Sequence, residues 1–363
     1  MLMLTHDFPP QALGGEGVFA SAIATRLYAR GIDLEVVAPH TTGDTAHDVK
    51  LGFKVHRVGV VMRNFATRTL SFAWSSRHLM RSYQGDVIYA FRPVVRPQRP
   101  MLSHFHVTRA GQARAARMSG QWVAALANGL FAPVDRRQAR ISDRVIGVNE
   151  AMRAELGCLM RQPEEFQVVQ NGVDTALFND YGRPSPQGFR LLFVGRLDPL
   201  KRVPDLLHAV ATLAASHPGL SLTVVGSGRE YRNLMALTRS LGIEERVRFV
   251  PGFPHEEMPA VYRAHDLLVL PSAYESFGMV ILEAMACGTP ALTSDACAQL
   301  GQPCFPAGSV SALGESIAQL AHDRDRLSEL SSGGRETAIA HSWDRVAAKV
   351  EEQLRTGRGT GRR

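Results

Sequence analysis

Short apolar runs alternate with helix-length amphipathic stretches along almost the whole chain, and this rhythm begins twice. Apolar runs without polar alternation suit strands buried on both faces, as in parallel sheets whose crossover connections are helices. In the first half the pattern predicts strands over 1–5, 34–38, 86–90 and 144–148, and helices over 18–30 and 150–156. The second half repeats it with strands over 190–195, 220–226, 247–250 and 267–270, and helices over 203–217, 231–241 and 279–287. Between the halves, residues 171–188 are rich in Gly, Pro, Asn and Asp, the composition of a linker. The expectation is an α/β chain with two doubly wound domains, 1–170 and 171–342, facing a cleft. Ligands in such sheets sit at the carboxyl ends of the strands. The tail 357–363 is basic and expected to fray.

Composition removes several classes. The 363 residues carry 41 Lys+Arg against 34 Asp+Glu, a formal net charge of +7. Arginines number 37, and the lysines are Lys50, Lys54, Lys201 and Lys349 alone, a skew typical of a GC-rich bacterial genome. The excess is uneven: residues 1–165 hold 21 basic and 13 acidic groups, whereas 166–354 hold 16 and 21. Cys158, Cys287, Cys297 and Cys304 form no C-x-x-C pair, so neither a zinc site nor a disulfide framework is indicated. No run of 18 apolar residues occurs, and the first ten residues do not resemble a signal peptide. Basic patches interleaved with aromatics are missing, which argues against a nucleic-acid binder. A soluble, cytoplasmic protein is expected.

Three segments carry chemistry. Gly15-Glu16-Gly17-Val18-Phe19-Ala20 matches G-x-G-x-x-A, and Glu35 could serve as a ribose acid. Residues 6–14, however, separate this match from the first strand, whereas a nicotinamide-binding turn follows its strand at once. The alternatives are a glycine loop whose amides approach an oxygen-rich ligand, or glycines that merely turn the chain. The second segment is Val194-Gly195-Arg196-Leu197-Asp198-Pro199-Leu200-Lys201-Arg202, where Arg196 and Lys201 can converge on one diphosphate. A solvated charge pair is the bland reading. The third, Pro271-Ser272-Ala273-Tyr274-Glu275-Ser276-Phe277-Gly278-Met279, leads into a helix bearing Glu283. Amides at that helix start favour an anion, so Glu275 there suits a polyol whose hydroxyls it accepts. Glu283 follows apolar Ile281 and Leu282, which suggests a buried, partnered acid. A capping Glu275 with a solvent-facing Glu283 is the alternative.

These segments together resemble the retaining GT-B glycosyltransferases of glycosyltransferase family 4, which use nucleotide sugars. PSAYESFGMVILEAMACGTP is similar to that family's E-x7-E block and VGRLDPLKR to its donor-phosphate loop. GGEGVF, QNGVDTALF, VVGSGRE with VRFVPGF, and HSWDRVA resemble further family segments in the family's order. The resemblance implies two Rossmann-like domains, an acceptor-binding N-domain, a donor-binding C-domain, and a final helix, 343–356, that rejoins the N-domain. It implies that Arg196 and Lys201 bind the donor diphosphate, Glu283 the ribose and Glu275 the transferred sugar. The amides of Phe277, Gly278 and Met279 would lie near sugar and phosphate, Gly252 and Phe253 near the base, and Gly15 and Gly17 across the cleft. His106, preferred over His104, would match the family's active-site histidine.

The implied reaction is transfer of a hexose-type sugar from a UDP- or GDP-sugar with retention, without a metal or other cofactor. A GT-B epimerase or phosphorylase, or less favourably a nicotinamide-dependent oxidoreductase, would be the alternative. The family usually follows the proline at 290 with a Gly-Gly turn and a further Glu; here 293–303 is shorter and lacks that acid, and Asp295 is a candidate substitute. Two acceptor classes remain open. One is a lipid-linked or envelope glycan, reached by peripheral contact at the inner membrane face through 63–84 and 109–131, with Trp74 and Trp122 as anchors. The other is a small natural-product core such as an aminocyclitol, whose positive charge Asp7, Glu16 and Glu150 would meet. Helices that simply turn their arginines outward explain the same two segments.

Overall fold

The computed structural model describes residues 1–10, 14–41, 43–61, 65–91, 97–118, 120–160, 162–182, 188–297 and 299–356. The tail 357–363, residues 183–187 of the linker and residues 63–64 of the first basic segment lie outside these. The chain divides into two units: 1–113, 126–171 and 343 onward form one, and 114–125 with 172–342 the other.

In chain order the first unit's elements start with β1 (Leu2–Leu4), α1 (Gly15–Ala29), β2 (Glu35–Pro39), α2 (Asp44–Asp48), β3 (Lys54–Val58), α3 (Phe65–Ser82) and β4 (Ile88–Ala90). They continue through β5 (Met101–Phe105), α4 (Arg109–Met118), α5 (Trp122–Ile141), β6 (Arg144–Gly147), α6 (Glu150–Leu156) and β7 (Phe166–Val168), with the end of α4 and the start of α5 counted in the second unit. The seven strands run in the order β3-β2-β1-β4-β5-β6-β7, with every described pairing parallel. β1, β4 and β5 are buried at every position, which explains their unbroken apolar sequence. Strand β5 also carries Ser103 and His104. A polar pair in a short run is why periodicity singles out no strand there.

The chain moves outward from β1 through β2 to β3, then crosses back to β4 and continues through β5 to β7. Right-handed crossovers therefore place α3 and α5 on one sheet face and α1 on the other. Packing agrees: Phe72 and Met80 of α3 join Leu2, Leu4, Val37, Val58 and Ile88 in one core cluster, with Ile141 of α5 against it.

The second unit contains β8 (Phe189–Val194), α7 (Val203–Leu213), β9 (Leu220–Val225), α8 (Tyr231–Ser240), β10 (Val247–Val250), α9 (Met258–Arg263) and β11 (Leu267–Leu270). Then follow α10 (Met279–Ala286), β12 (Ala291–Ser294), β13 (Cys304–Phe305), α11 (Val310–His322) and α12 (Arg324–Ala340). Its six strands are ordered β10-β9-β8-β11-β12-β13. Leu206 and Leu207 of α7 are fully buried, each contributing about 2 kcal/mol of hydrophobic transfer. Asp323 caps α12 and Ser309 caps α11, each accepting a backbone N–H three residues on.

Helix α13 (Trp343–Thr356) belongs to the first unit. Its face of Trp343, Val346, Ala347, Val350 and Leu354 is buried. Trp343 meets Phe19 of α1 edge-on at 5.5 Å, and Arg30 pairs with Glu351 at 2.6 Å. No helix among the described residues is long and apolar enough to cross a membrane.

Candidate active site

In the second unit the chain leaves β8 toward β9 and β10, then returns to lay β11 on the other side of β8. The crevice beyond the carboxyl ends of β8 and β11 is thus the topological switch point, where open α/β sheets bind ligands. The two segments singled out by sequence, 194–202 and 271–279, are the loops that follow these strands. Strand order makes them neighbours.

Local chemistry fixes each loop. Asp198 accepts the Leu200 N–H at 3.0 Å and starts a short 3-10 turn over Pro199–Lys201. The turn ends at Arg202, which has φ 49° and pairs with Asp205 at 2.7 Å before α7 begins. A β-carbon at Gly226 would lie 1.9 Å from the Gly195 carbonyl, so only glycine lets the β9 loop approach so closely. The Ala273 N–H donates to the Leu200 carbonyl at 2.8 Å, stitching the loops together.

That stitch brings the Lys201 ammonium onto Glu275 Oε2. Their side chains are 15% and 18% exposed, so water screens this pair less than a surface pair. One of the three ammonium protons is used by Glu275, and the others remain suited to phosphate oxygens. Arg196 belongs to the same loop but is 83% exposed, with Asp198 at 3.6 Å. Phe277 is buried, and Gly278 (φ 78°) precedes α10. A β-carbon there would meet Ile281 Cδ1 at 2.9 Å. Met279 opens the helix, so amides of its first turn face the switch point's loops with the positive end of the helix dipole.

Glu283 lies one turn further along α10. Tyr262 of α9 donates its hydroxyl to Glu283 Oε2 at 2.7 Å. Burial pushes the Glu283 carboxyl above its usual 4.5, against the opposing effects of Tyr262 and His255. Folding therefore favours the neutral acid. That stabilisation is complete below pH 4.5 and is lost as pH rises through the raised value. Glu283→Gln should melt with a flatter pH dependence than the native chain and gain on it by roughly a few degrees toward pH 8. Parallel curves from pH 4 to 8 would contradict this. Gly252 and Phe253 follow β10 at the sheet edge, two strands from β8.

The first unit has its switch point between β1 and β4. Asp7, just past β1, is buried, and its backbone is held by Thr5 Oγ1 at 2.9 and 3.2 Å. The sequence pattern starts the next helix at Val18, but α1 begins at Gly15, so Gly15, Glu16 and Gly17 form its first turn. Gly14 is extended, and its carbonyl accepts the Val18 N–H at 3.3 Å, which extends the helix toward the sheet. Glu16 is buried there. Glu150 opens α6 at the end of β6, exposed and paired with Arg153 at 2.8 Å.

His104 and His106 stack at 4.5 Å with Phe19 edge-on to both, at 4.5 and 4.7 Å. Burial, reinforced by His106, holds His104 well below its usual pKa, and burial raises Tyr89. The Tyr89 hydroxyl and His104 Nδ1 share a hydrogen bond of 2.6 Å. His104 is a locked strand residue, whereas His106 lies just beyond the end of β5. Tyr89 and Tyr262 are supporting residues that sequence reasoning missed, since neither belongs to a local pattern of its own; Asp198 lay in a segment the sequence singled out, but without a role.

Two Rossmann-like parallel-sheet units, one with a lysine–carboxylate pair at its switch point, define a protein of the GT-B glycosyltransferase class. The family model for "Glycosyl transferases group 1" matches residues 179–337, and that for "Glycosyltransferase Family 4" matches 13–177. Glycogen synthase of Mycobacterium tuberculosis is 32% identical, covering 81% of this chain and 78% of that one. D-inositol 3-phosphate glycosyltransferase of Frankia alni is 31% identical over 94% of both. Anabaena HepE, solved in complex with UDP-glucose, has the same fold with a TM-score of 0.73 at 20% identity, covering 98% of this chain and 99% of that one. The chain belongs to glycosyltransferase family 4 and is a glycosyltransferase.

Proposed function

We propose that the protein moves a hexose-type sugar from a UDP- or GDP-sugar to an acceptor hydroxyl with retention of configuration, without a divalent metal. The observation that carries this reading is the Lys201–Glu275 pair at the β8/β11 switch point. Lys201 and Arg196 neutralise the departing diphosphate, a role otherwise given to a metal ion. Glu275 accepts hydroxyls of the sugar, Glu283 those of the ribose, and Gly252 and Phe253 flank the base. The acceptor oxygen bonds to the anomeric carbon on the face from which the phosphate oxygen leaves, and that leaving oxygen takes the acceptor proton. His106 orients sugar or acceptor. HepE's complex with UDP-glucose favours the uridine donor.

Incubation with UDP-, GDP- and ADP-sugars, with and without EDTA, tests the donor. Release of nucleoside diphosphate from one of them, unaffected by EDTA, and an unchanged anomeric configuration in the product support the reading. No release of nucleoside diphosphate from any of them, an inverted centre or abolition by EDTA overturns the corresponding part.

The acceptor stays within two classes: a lipid-linked or envelope glycan, or a small core of the cyclitol kind. The inositol phosphate in the name of the Frankia relative suits the second. One observation favours a membrane-side acceptor. Residues 61–134 contain ten arginines and a single acid, Asp86. On the outer face of α3, Leu70 and Trp74 are 71% and 66% exposed, and Arg77 stacks on Trp74 at 3.2 Å. Leu126 and Leu130 of α5 are similarly exposed on the same side of the sheet. Cationic charge with protruding Trp and Leu suits an anionic bilayer interface. The chain should sediment with phosphatidylglycerol vesicles, and Trp74→Ala with Leu70→Ser should weaken this about tenfold. Equal sedimentation with phosphatidylcholine, or none with either, leaves the soluble acceptor.

A further inference from the structure

The segment 293–303 departs from the family's usual pattern, having neither the Gly-Gly turn nor the following acid. The Asp295 side chain accepts the Ala307 N–H at 3.0 Å and so fastens the segment to the turn after β13. The contact with the donor loop comes from Gln299. Its Nε2 donates to the Glu275 carbonyl at 3.2 Å and to the Ser276 carbonyl at 3.1 Å.

The amide is itself held in place. Gln299 N–H donates to the Cys297 carbonyl at 2.9 Å. Buried Gln302 closes the turn, accepting the Leu300 N–H at 3.0 Å and donating to the Cys297 carbonyl at 2.9 Å and Thr293 Oγ1 at 3.1 Å. Ser294 ties the start of the segment to the Ser272 carbonyl at 2.5 Å. The segment is thus anchored at one end to residue 272 and grips 275–276 with the other.

Peptide planarity gives the grip a direction. In a trans peptide the N–H points opposite to the C=O. Turning the carbonyls of Glu275 and Ser276 onto one side-chain amide turns the N–H groups of Ser276 and Phe277 away from it. The same grip fixes the backbone from which the Glu275 side chain reaches Lys201.

We propose that Gln299 is a positioning residue for the donor sugar: its side-chain amide clamps the Glu275 and Ser276 carbonyls and thereby sets the aim of the sugar-holding loop. This rests on the donor reading above and extends it to the remodelled segment. The clamp acts on the sugar side of the donor and leaves the nucleoside diphosphate side to Lys201, Arg196 and Glu283.

The test uses the full chain and three variants: Gln299→Ala, which removes the amide; Gln299→Glu, which sets a carboxylate against two carbonyls; and Asp295→Ala, which leaves the clamp in place. Hydrogen exchange at the amides of 276–279 should quicken about tenfold in the first two, with amides of α7 unchanged and melting temperatures close to native. Calorimetric titration with UDP-glucose and GDP-mannose, each beside its free diphosphate, should show sugar-nucleotide affinity falling about tenfold and diphosphate affinity by less than about twofold. Gln299→Glu should recover part of this loss toward pH 5, where a protonated acid again donates one hydrogen bond. Unchanged exchange at 276–279, or equal losses for sugar nucleotide and diphosphate, overturns the clamp. If the native chain binds no nucleotide sugar at all, the donor reading fails, and the exchange result alone decides whether Gln299 holds the loop.

Discussion

Replacing Lys201 with alanine should lower sugar transfer by about 100- to 1,000-fold, the usual cost of removing one preorganised charge from a developing anion. The loss should fall on turnover more than on donor affinity, because charge on the leaving diphosphate grows as the sugar bond breaks. A purely structural pair predicts something different. Removing one partner would leave Glu275 half-shielded and uncompensated, and the damage would appear in the melting temperature. Lys201→Met with Glu275→Gln separates the two, since it removes both charges while keeping approximate volume. If the pair only braces the loops, the double variant regains activity with its stability. On the catalytic reading it regains stability and stays inactive. Steady-state rates and thermal melts of Lys201→Ala and the double variant decide the matter.

Glu275→Gln is the second large effect. The amide keeps the size of the side chain and one oxygen acceptor but loses the charge that draws hydroxyl protons and anchors Lys201. Transfer should fall by about 100-fold, since a hydrogen bond to a charged acceptor is worth roughly twice a neutral one and the lysine is also set loose. Binding of the free nucleoside diphosphate should change by less than about threefold, because Glu275 meets the sugar and not the nucleotide. A matching loss of diphosphate affinity would assign Glu275 to the phosphates or to loop structure. Near-native transfer in both Lys201→Ala and Glu275→Gln would sink the site assignment altogether.

Much of this site was legible in the chain because its parts are local. The strand-to-loop transitions after 194 and 270 are marked by apolar runs that stop at Gly195 and Pro271, and the candidate site residues follow within a few positions. The buried residues of α13, Trp343, Val346, Ala347, Val350 and Leu354, recur at helical spacing and so could also be read from the chain. Other parts left no local mark. Strand β5 mixes Ser103 and His104 into a fully buried run, so periodicity has nothing to report. The start of α1 was displaced because two glycines argue against helix in isolation, whereas Gly14 supplies the extended residue that lets the helix begin at Gly15. Gln299 was invisible as a contact, since a glutamine in a polar turn has no preferred partner until the fold provides two carbonyls.

The sequence by itself determined the alternation that makes two parallel-sheet units, and the loops on which the charged residues ride. Tertiary structure decided which loops meet. Lys201 and Glu275 are 74 residues apart, Tyr262 and Glu283 are 21 apart, and Gln299 grips a carbonyl 24 residues earlier. Each contact exists because β11 lies beside β8 and β12 beside β11. A pattern of apolar runs specifies strands but not their lateral order. That order follows from how the crossover helices cover the sheet, and it alone turns two charged loops into a pair.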